Sequence, residues 1–159
     1  MLEVKFRKFR LSLVNKKYLG WLNDKETKKY LINNDKEYAI KDIRSYVSNL
    51  LKNKNEHFFS IHQSNNEHIG NLRLGPIDSE KKSIRFGLLI GDKKNWGKGI
   101  GSQAVIFSIK FCFVKLNFKR IILNVSNKNI AAIKLYEKFN FKIDKRYKVS
   151  HVNGLNLIT

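Results

Sequence analysis

The amino-acid sequence predicts an α/β fold, a mixed sheet with helices on its faces, as one domain over residues 1–159. Three observations predict it. Segments with an apolar period of two alternate with segments of period 3.6, in the order strand, helices, three strands, helix, strand, helix, two strands. A glycine-punctuated loop, "NWGKGIGSQA" at 95–104, joins an apolar strand to a helix. A chain of 159 residues that is 42% hydrophobic holds one ordinary core and is short for two.

Each element follows from its local pattern. "VKFRKF" alternates and reads as a strand, and "VNKKYLGWLND" through "KKYL" places Leu19, Leu22 and Tyr30 on a broken helix. "AIKDIRSYVSNLLKN" carries Ile40, Ile43, Tyr46, Val47, Leu50 and Leu51 at helical spacing. The period then drops to two. "HFFSIHQ" and "HIGNLRLGPI" are strands joined by the turn "SNNE", "KKSIRFGLLIGD" is a longer one, and Pro76 is expected in the turn between the last two. From Ser102 to Leu116 the apolar positions Ala104, Val105, Ile109, Cys112 and Phe113 resume a helical period. "KRIILNV" is an apolar, β-branched run suited to a buried strand. Asn129 is placed to cap "IAAIKLYEKF", and Asn140 to close it in a left-handed conformation. "FKIDKRYKV" and "VNGLNLI" are expected to end the chain as a strand pair.

Composition narrows the function classes. No apolar run approaches the roughly 20 residues that span a bilayer, and "MLEVKFRKFR" has charges where a signal peptide needs its apolar stretch, so a soluble, cytoplasmic protein without a membrane partner is expected. Cys112 stands alone inside "IKFCFV" and reads as a small core residue. The net charge of +19 is compatible with an anionic ligand, with nucleic acid, or with lysine and asparagine supplied by codon bias. The lysines are dispersed, with no clustered basic helix or exposed aromatic platform, which disfavours nucleic acid. Association into a homodimer is left open.

The glycine loop is an anion cradle, because Gly97, Gly99 and Gly101 let the backbone turn sharply and bring its N–H groups to a ligand at a helix start. A nucleoside-triphosphate loop does not fit: Gly91 is one residue too far from Gly97, and Gly99 follows Lys98 where Ser or Thr would hold magnesium. Gly99, Gly101 and Ala104 satisfy a dinucleotide spacing, yet "KRIILNV" lacks the acidic residue for the ribose. What remains is a pyrophosphate held by backbone amides without a metal.

Here the residues carry a resemblance. "NWGKGIGSQA" resembles the coenzyme A pyrophosphate loop of the GNAT N-acetyltransferase superfamily, and "NKNIAAIKLYEKFNF", with Tyr136 seven residues after Asn129, is similar to its second signature. "WLND", "HIGNLRLGPID" and "LLIGDKKNWGKG" are similar to the branch of ribosomal-protein N-terminal and amino-sugar-nucleotide acetyltransferases. The resemblance covers nearly the whole chain and implies a mostly antiparallel sheet, splayed in the middle between "FGLLI" and "RIILNV", with helices on both faces.

It also implies acetyl-CoA as co-substrate, no metal, and direct acetyl transfer to a primary amine. By this resemblance Tyr136 is the catalytic acid for the departing sulfur. Leu88, Leu89, Ile90, Trp96, Gly97, Lys98, Gly99, Ile100, Gly101, Ser102 and Asn129 bind the coenzyme. Three departures stand out: Trp96 replaces a usual Gln or Arg, Asn140 replaces glycine, and Arg85 falls near the glutamate that serves many members as general base. Arginine keeps its proton and cannot take that role. His62, Glu67 and His68 are nearby, and each reads as a solvated surface residue.

Trp21, Arg73 and Arg85 are the candidate substrate-binding residues. If both arginines face the acceptor, they favour an anionic partner such as a nucleotide-linked amino sugar used in surface polysaccharide synthesis. A ribosomal-type protein N-terminus is the alternative, followed by a polyamine or antibiotic, with polyamines disfavoured by like charge. A coenzyme-binding module that has lost catalysis is the rival from another class.

Overall fold

The computed structural model describes residues 2–31, 35–144 and the backbone of 154–158. Strand β1 (Val4–Lys8) lies antiparallel to β2 (His57–Gln63), which returns as β3 (His68–Asp78) and then β4 (Ser83–Ile90). β4 meets β5 (Arg120–Ser126) in parallel, β5 meets β7 (Gly154–Ile158) antiparallel, and the short β6 (Lys142–Ile143) closes the far edge against β7. The sheet order is β1-β2-β3-β4-β5-β7-β6, with β4–β5 the one parallel pair among the described strands. This is the mostly antiparallel mixed sheet the sequence implies.

One face of the sheet is covered by the N-terminal helices. Asn15 accepts hydrogen bonds from the N–H groups of Lys17 and Tyr18 and so starts α1 (Lys16–Asn23). Asp24 stops α1 and caps α2 (Lys25–Lys28) through Thr27, which is why the helix is broken there. α3 (Ile40–Lys52) buries Ile43, Val47 and Leu50, whereas Ile40, Tyr46 and Leu51 stay exposed, so its core stripe is narrower than its apolar pattern. Phe9, Val14, Tyr18, Trp21 and Phe58 complete this smaller core.

The opposite face carries the main core, where Ile61, Leu72, Leu74, Ile84 and Ile121 are essentially inaccessible. Burying such side chains contributes about 1.5–3 kcal/mol each. α4 (Ile100–Ile109) begins two residues before the expected Ser102 and continues as one π-helical stretch, Lys110–Lys115. Cys112 lies fully buried in that stretch, and burial pushes its thiol up to about 12, which suits a packing role. α5 (Ile130–Lys138) is capped by Asn129, whose side chain accepts from Ala132 N–H, and Asn140 closes the turn at φ 61°.

Two details differ from the sequence reading. Pro76 sits inside β3, at the point where the β3–β4 register shifts between Leu74 and Ile77, so its missing N–H removes no ladder bond. Among the described residues of "FKIDKRYKV" Lys142–Ile143 is strand, while residues 145–149 lie outside the described residues, as do Val152 and Asn153 of the last segment.

The sheet also splays. β4 and β5 pair only from Ser83–Arg120 to Phe86–Leu123, although both strands run on to Ile90 and Ser126. Gly87–Ile90 therefore has no ladder partner on β5, and a gap opens between the two strand ends.

Candidate functional site

A cleft of about 920 Å³ occupies that gap and extends beneath the N-terminal helices. Its first half is walled by Leu88, Leu89 and Ile90 of β4, the glycine loop, Asn124–Ser126 of β5, and Asn129 and Tyr136 at α5. Gly97 (φ 74°) and Gly99 (φ 79°) hold left-handed backbone, and Gly99 is the N-terminal cap of α4. A side chain at Gly97 would meet open space, so its requirement is conformational. Gly101 differs: a Cβ there would come within 2.6 Å of Leu135 Cδ2, so its bareness lets α4 close on α5. The Trp96 indole donates to the Ile90 carbonyl at 2.7 Å and pins the loop to the end of β4.

Helix geometry leaves the first-turn N–H groups of Ile100, Gly101 and Ser102 without intrahelical partners, at the positive end of the α4 dipole. The unpaired edge of β4 adds further donors and acceptors. A phosphate-bearing chain fits this donor set, its phosphates at the α4 start and its amide arm along β4. Asn95, 1% exposed, adds a buried Nδ2 with no hydrogen-bond partner among the described residues, while its Oδ1 accepts from Gln63.

Tyr136 projects from α5 into this half, 7% exposed, in edge contact with Phe86 at 5.8 Å. Burial raises its phenol above the ordinary tyrosine value, so it holds its proton throughout the neutral range. That is the state a proton donor requires.

The second half of the cleft is built from side chains of α1, α3, β2, β3 and the loop before α3, among them Tyr18, Tyr38, Tyr46, Phe58, Asn71 and Arg73. Arg73 gives Nε and Nη2 to the two oxygens of buried Glu56, at 2.9 and 2.5 Å, and Nη1 to the Tyr46 hydroxyl at 3.1 Å. The pair holds the guanidinium firmly protonated but largely neutralises its charge. Lys36 and Asp42 stand at the rim, and Asp42 is the one carboxylate among the described lining residues.

Several candidates lie elsewhere. Arg85 is exposed and outside the described lining: it shares a face with Gly87 and Leu89 but lies where β4 is still paired with β5, opposite Ile122, short of the gap. Trp21 is 7% exposed and packs beneath Gly91, where a Cβ would overlap its ring, so it belongs to the smaller core. Lys98 is also outside the described lining, its carbonyl accepting from Leu2 N–H. His62 and His68 are buried rather than solvated, at 7% and 8% exposure, with rings stacked 5.4 Å apart beneath α1. Glu67 is the surface residue expected, paired with Lys17 at 2.9 Å. None of these three is among the described lining residues.

The sequence reading did not single out Tyr18, Asn71, Asn95 or Asp42 as site residues. The strand alternation that places Asn71 on the same face as Arg73 was the available signal.

Comparison with known proteins accords with this geometry. The family model described as an acetyltransferase (GNAT) domain matches residues 3–142. An uncharacterized N-acetyltransferase, p20 of Bacillus licheniformis, is 31% identical over 103 residues, 64% of this chain. The match spans 57% of p20, so the chain covers little more than half the length of that curated relative. Among solved structures, a domain from Methanocaldococcus jannaschii superposes with a TM-score of 0.81 at 20% identity, covering 100% of this chain and 99% of that one. The spermidine N-acetyltransferase from Vibrio cholerae in complex with CoA and spermine superposes at 0.73 with 16% identity, covering 98% and 94%. At such identities these two likenesses speak to the fold. No helix of the described residues is long and apolar enough to cross a membrane.

Proposed function

We propose, from the premise that this chain belongs to the GNAT acetyltransferase family, that it moves an acetyl group directly from acetyl-coenzyme A to a primary amine. The observation that carries this reading is the gap between β4 and β5 opening onto the Gly97–Ser102 loop, with Tyr136 inside it. When bound, acetyl-CoA supplies the reactive thioester. The first-turn amides of α4 hold its phosphates, and the free edge of Leu88–Ile90 orients the arm and the carbonyl.

The amine nitrogen bonds to the acyl carbon as the carbon–sulfur bond breaks. The Tyr136 hydroxyl gives its proton to the leaving sulfur, and the amine's surplus proton leaves to solvent through the cleft. Asn129 fixes α5, and with it Tyr136, by capping its first turn.

For the acceptor we take a nucleotide-linked amino sugar first and a protein N-terminus second. The support for the sugar is the aromatic lining, which suits a ring, and a charge of +19, which draws anions. The expected pair of arginines no longer adds to it, since Arg73 is neutralised by Glu56 and Arg85 lies outside the lining. A screen of amine classes read as thiol released from acetyl-CoA tests the reading. Calorimetry with coenzyme A and with duplex DNA separates the enzyme from its rivals. CoA binding without thiol release from any amine would leave the coenzyme-binding module, and absence of CoA binding would remove the assignment.

A further inference from the structure

We propose that Glu56 sets the charge selectivity of the acceptor site: by taking up the Arg73 guanidinium it leaves Arg73 and Tyr46 as a neutral wall of hydrogen-bond donors, which takes a hydroxyl of the amine substrate and gives an anionic group no advantage. The inference rests on the acetyltransferase reading above and deepens it. The Glu56 carboxylate is 5% exposed, just before β2. Gly75 makes room for it, since a Cβ there would overlap the carboxylate. Both carboxylate oxygens are engaged by Arg73 of β3, from Nε at 2.9 Å and from Nη2 at 2.5 Å. The positive charge is matched before any ligand arrives.

A guanidinium carries five N–H groups and accepts nothing. Two go to Glu56 and a third, on Nη1, goes to the Tyr46 hydroxyl oxygen at 3.1 Å, so one hydrogen on Nη1 and one on Nη2 have no partner among the described residues. Tyr46 receives that bond as an acceptor. Its own hydroxyl hydrogen is given to no group among the described residues, and desolvation raises the phenol pKa, so the hydrogen is retained at neutral pH. Asn71, two residues from Arg73 on the same face of β3, adds a buried Nδ2 that is likewise unpartnered among the described residues, while its Oδ1 meets His68 Nε2 at 2.7 Å. All three side chains line the cleft.

A ligand group that meets unspent donors must bring lone pairs, which a hydroxyl has and an ammonium or a methylene lacks. A carboxylate or phosphate brings them too, but its charge faces a pair that sums to zero, and it gives up more hydration on entry. Asp42, one turn before Tyr46 on the same face of α3, lines the cleft with a carboxylate that has no partner among the described residues. It repels a second anion and accepts from a hydroxyl. Hydroxyls, which both donate and accept, therefore suit both ends of this wall. A nucleotide-linked amino sugar would lay its ring, and not its diphosphate, against Arg73.

The test uses one ring scaffold as acceptor with acetyl-CoA, read as thiol released and referred to the neutral amine present. Cyclohexylamine is compared with aminocyclohexanols and with aminocyclohexanecarboxylates, each substituted at position 2, 3 or 4. The native protein is expected to favour the hydroxyl over the bare ring by about tenfold in kcat/KM at one position at least, with the carboxylate there no better than the bare ring. In Glu56→Gln the Arg73 charge is uncompensated, and the carboxylate should gain about tenfold relative to the hydroxyl at that position. Glu56→Gln with Arg73→Gln, which leaves no charge in the pair, should lose that gain. Tyr46→Phe should lower the hydroxyl advantage by about threefold or more. A role confined to holding the fold would lower all three classes together. Calorimetric CoA binding, which the other half of the cleft provides, checks that each variant is folded.

A native preference for the carboxylate, or no advantage for the hydroxyl at any position, overturns the proposal, and so does an unchanged ratio of carboxylate to hydroxyl in folded Glu56→Gln. Should that variant not fold, the native ranking and the charge-free double variant decide, and a hydroxyl advantage undiminished in the double variant overturns it. Should no amine release thiol, the transferase reading fails on its own. The ranking is then read from calorimetric binding of the same amines to the protein with CoA, where equal affinities overturn it.

Discussion

The coenzyme half of the cleft is walled largely by backbone, and the acceptor half by side chains. In the first, the groups offered to a ligand are N–H donors at the start of α4 and the unpaired edge of β4, held by Gly97, Gly99 and the Trp96–Ile90 bond. In the second, Tyr18, Tyr46, Asn71 and Arg73 come from three elements; Arg73 is held by Glu56 and in turn holds the Tyr46 hydroxyl, and Asn71 is held by His68. A backbone site tolerates exchange of its side chains but not of its dihedral angles. A side-chain site tolerates changes of dihedral preference more readily than loss of one partner. The two halves should therefore fail to different kinds of substitution.

The largest effect is expected where the halves meet. Tyr136→Phe removes one hydroxyl and keeps the packing against Phe86, so kcat measured where chemistry limits turnover should fall by about 10²- to 10⁴-fold with CoA affinity little changed. Unchanged turnover would leave orientation as the contribution of this half. With no carboxylate or histidine in the described lining beyond rim Asp42, and a phenol held protonated by burial, the rate should rise by about tenfold per pH unit as the acceptor amine loses its proton, until that amine is fully neutral. A plateau near neutrality would instead reveal a dedicated base.

Gly99→Val comes next, since a β-branched residue at φ 79° costs at least about 1–2 kcal/mol and deforms the α4 cap. CoA binding by calorimetry should weaken about tenfold or more. Gly101→Val should also weaken binding, but by pushing α4 from Leu135, and Leu135→Ala should partly rescue it while leaving Gly99→Val unrelieved. Equal affinity across the glycine variants would deny that the wall is backbone.

Acid should act on the other half. His68 is held below the usual value of 6.5 by burial first, with His62 and Lys17 adding repulsion against the opposing bonds from Asn71 and Gly70. Its folded pKa is depressed, so the unfolded chain binds the extra proton. The contribution of neutral His68 is full above pH 6.5 and is lost as pH falls through the folded value. Hydrogen exchange should show the amides around Tyr18 and Asn71 losing protection before those of α4 as pH falls from 7 toward 5. Uniform loss would erase the contrast. The smallest effect belongs to Lys98→Ala, within about twofold in CoA affinity, because a backbone wall makes little use of that side chain.

The same contrast explains what could be read from the chain alone. Gly97, Gly99 and Gly101, the Asn129 cap and the left-handed Asn140 are local, and short-range spacing encodes them. The splay needed one further step, that a ligand arm must satisfy a strand edge. Of the acceptor half only Arg73 was legible, because Tyr18, Asn71 and the partnership of Arg73 with Glu56 come together only through tertiary packing. Trp21 and Arg85 were plausible by residue type and misplaced by position: Trp21 packs into the smaller core, and Arg85 stands in solvent on the part of β4 still paired with β5. His62 and His68 looked solvated beside a polar turn, yet α1 folds over them through Trp21.

The short parallel ladder has a mechanical meaning. Four residue pairs, Ser83–Phe86 against Arg120–Leu123, join a leaf of four strands to a leaf of three. Whatever lies across the opening beyond them touches both leaves and acts as a rivet. A ligand that binds only the folded form at a hundred times its dissociation constant adds about 2.7 kcal/mol to stability. Here that increment falls on the four-pair seam that joins the two leaves, so the resistance of the C-terminal leaf to peeling away rises with the concentration of the co-substrate.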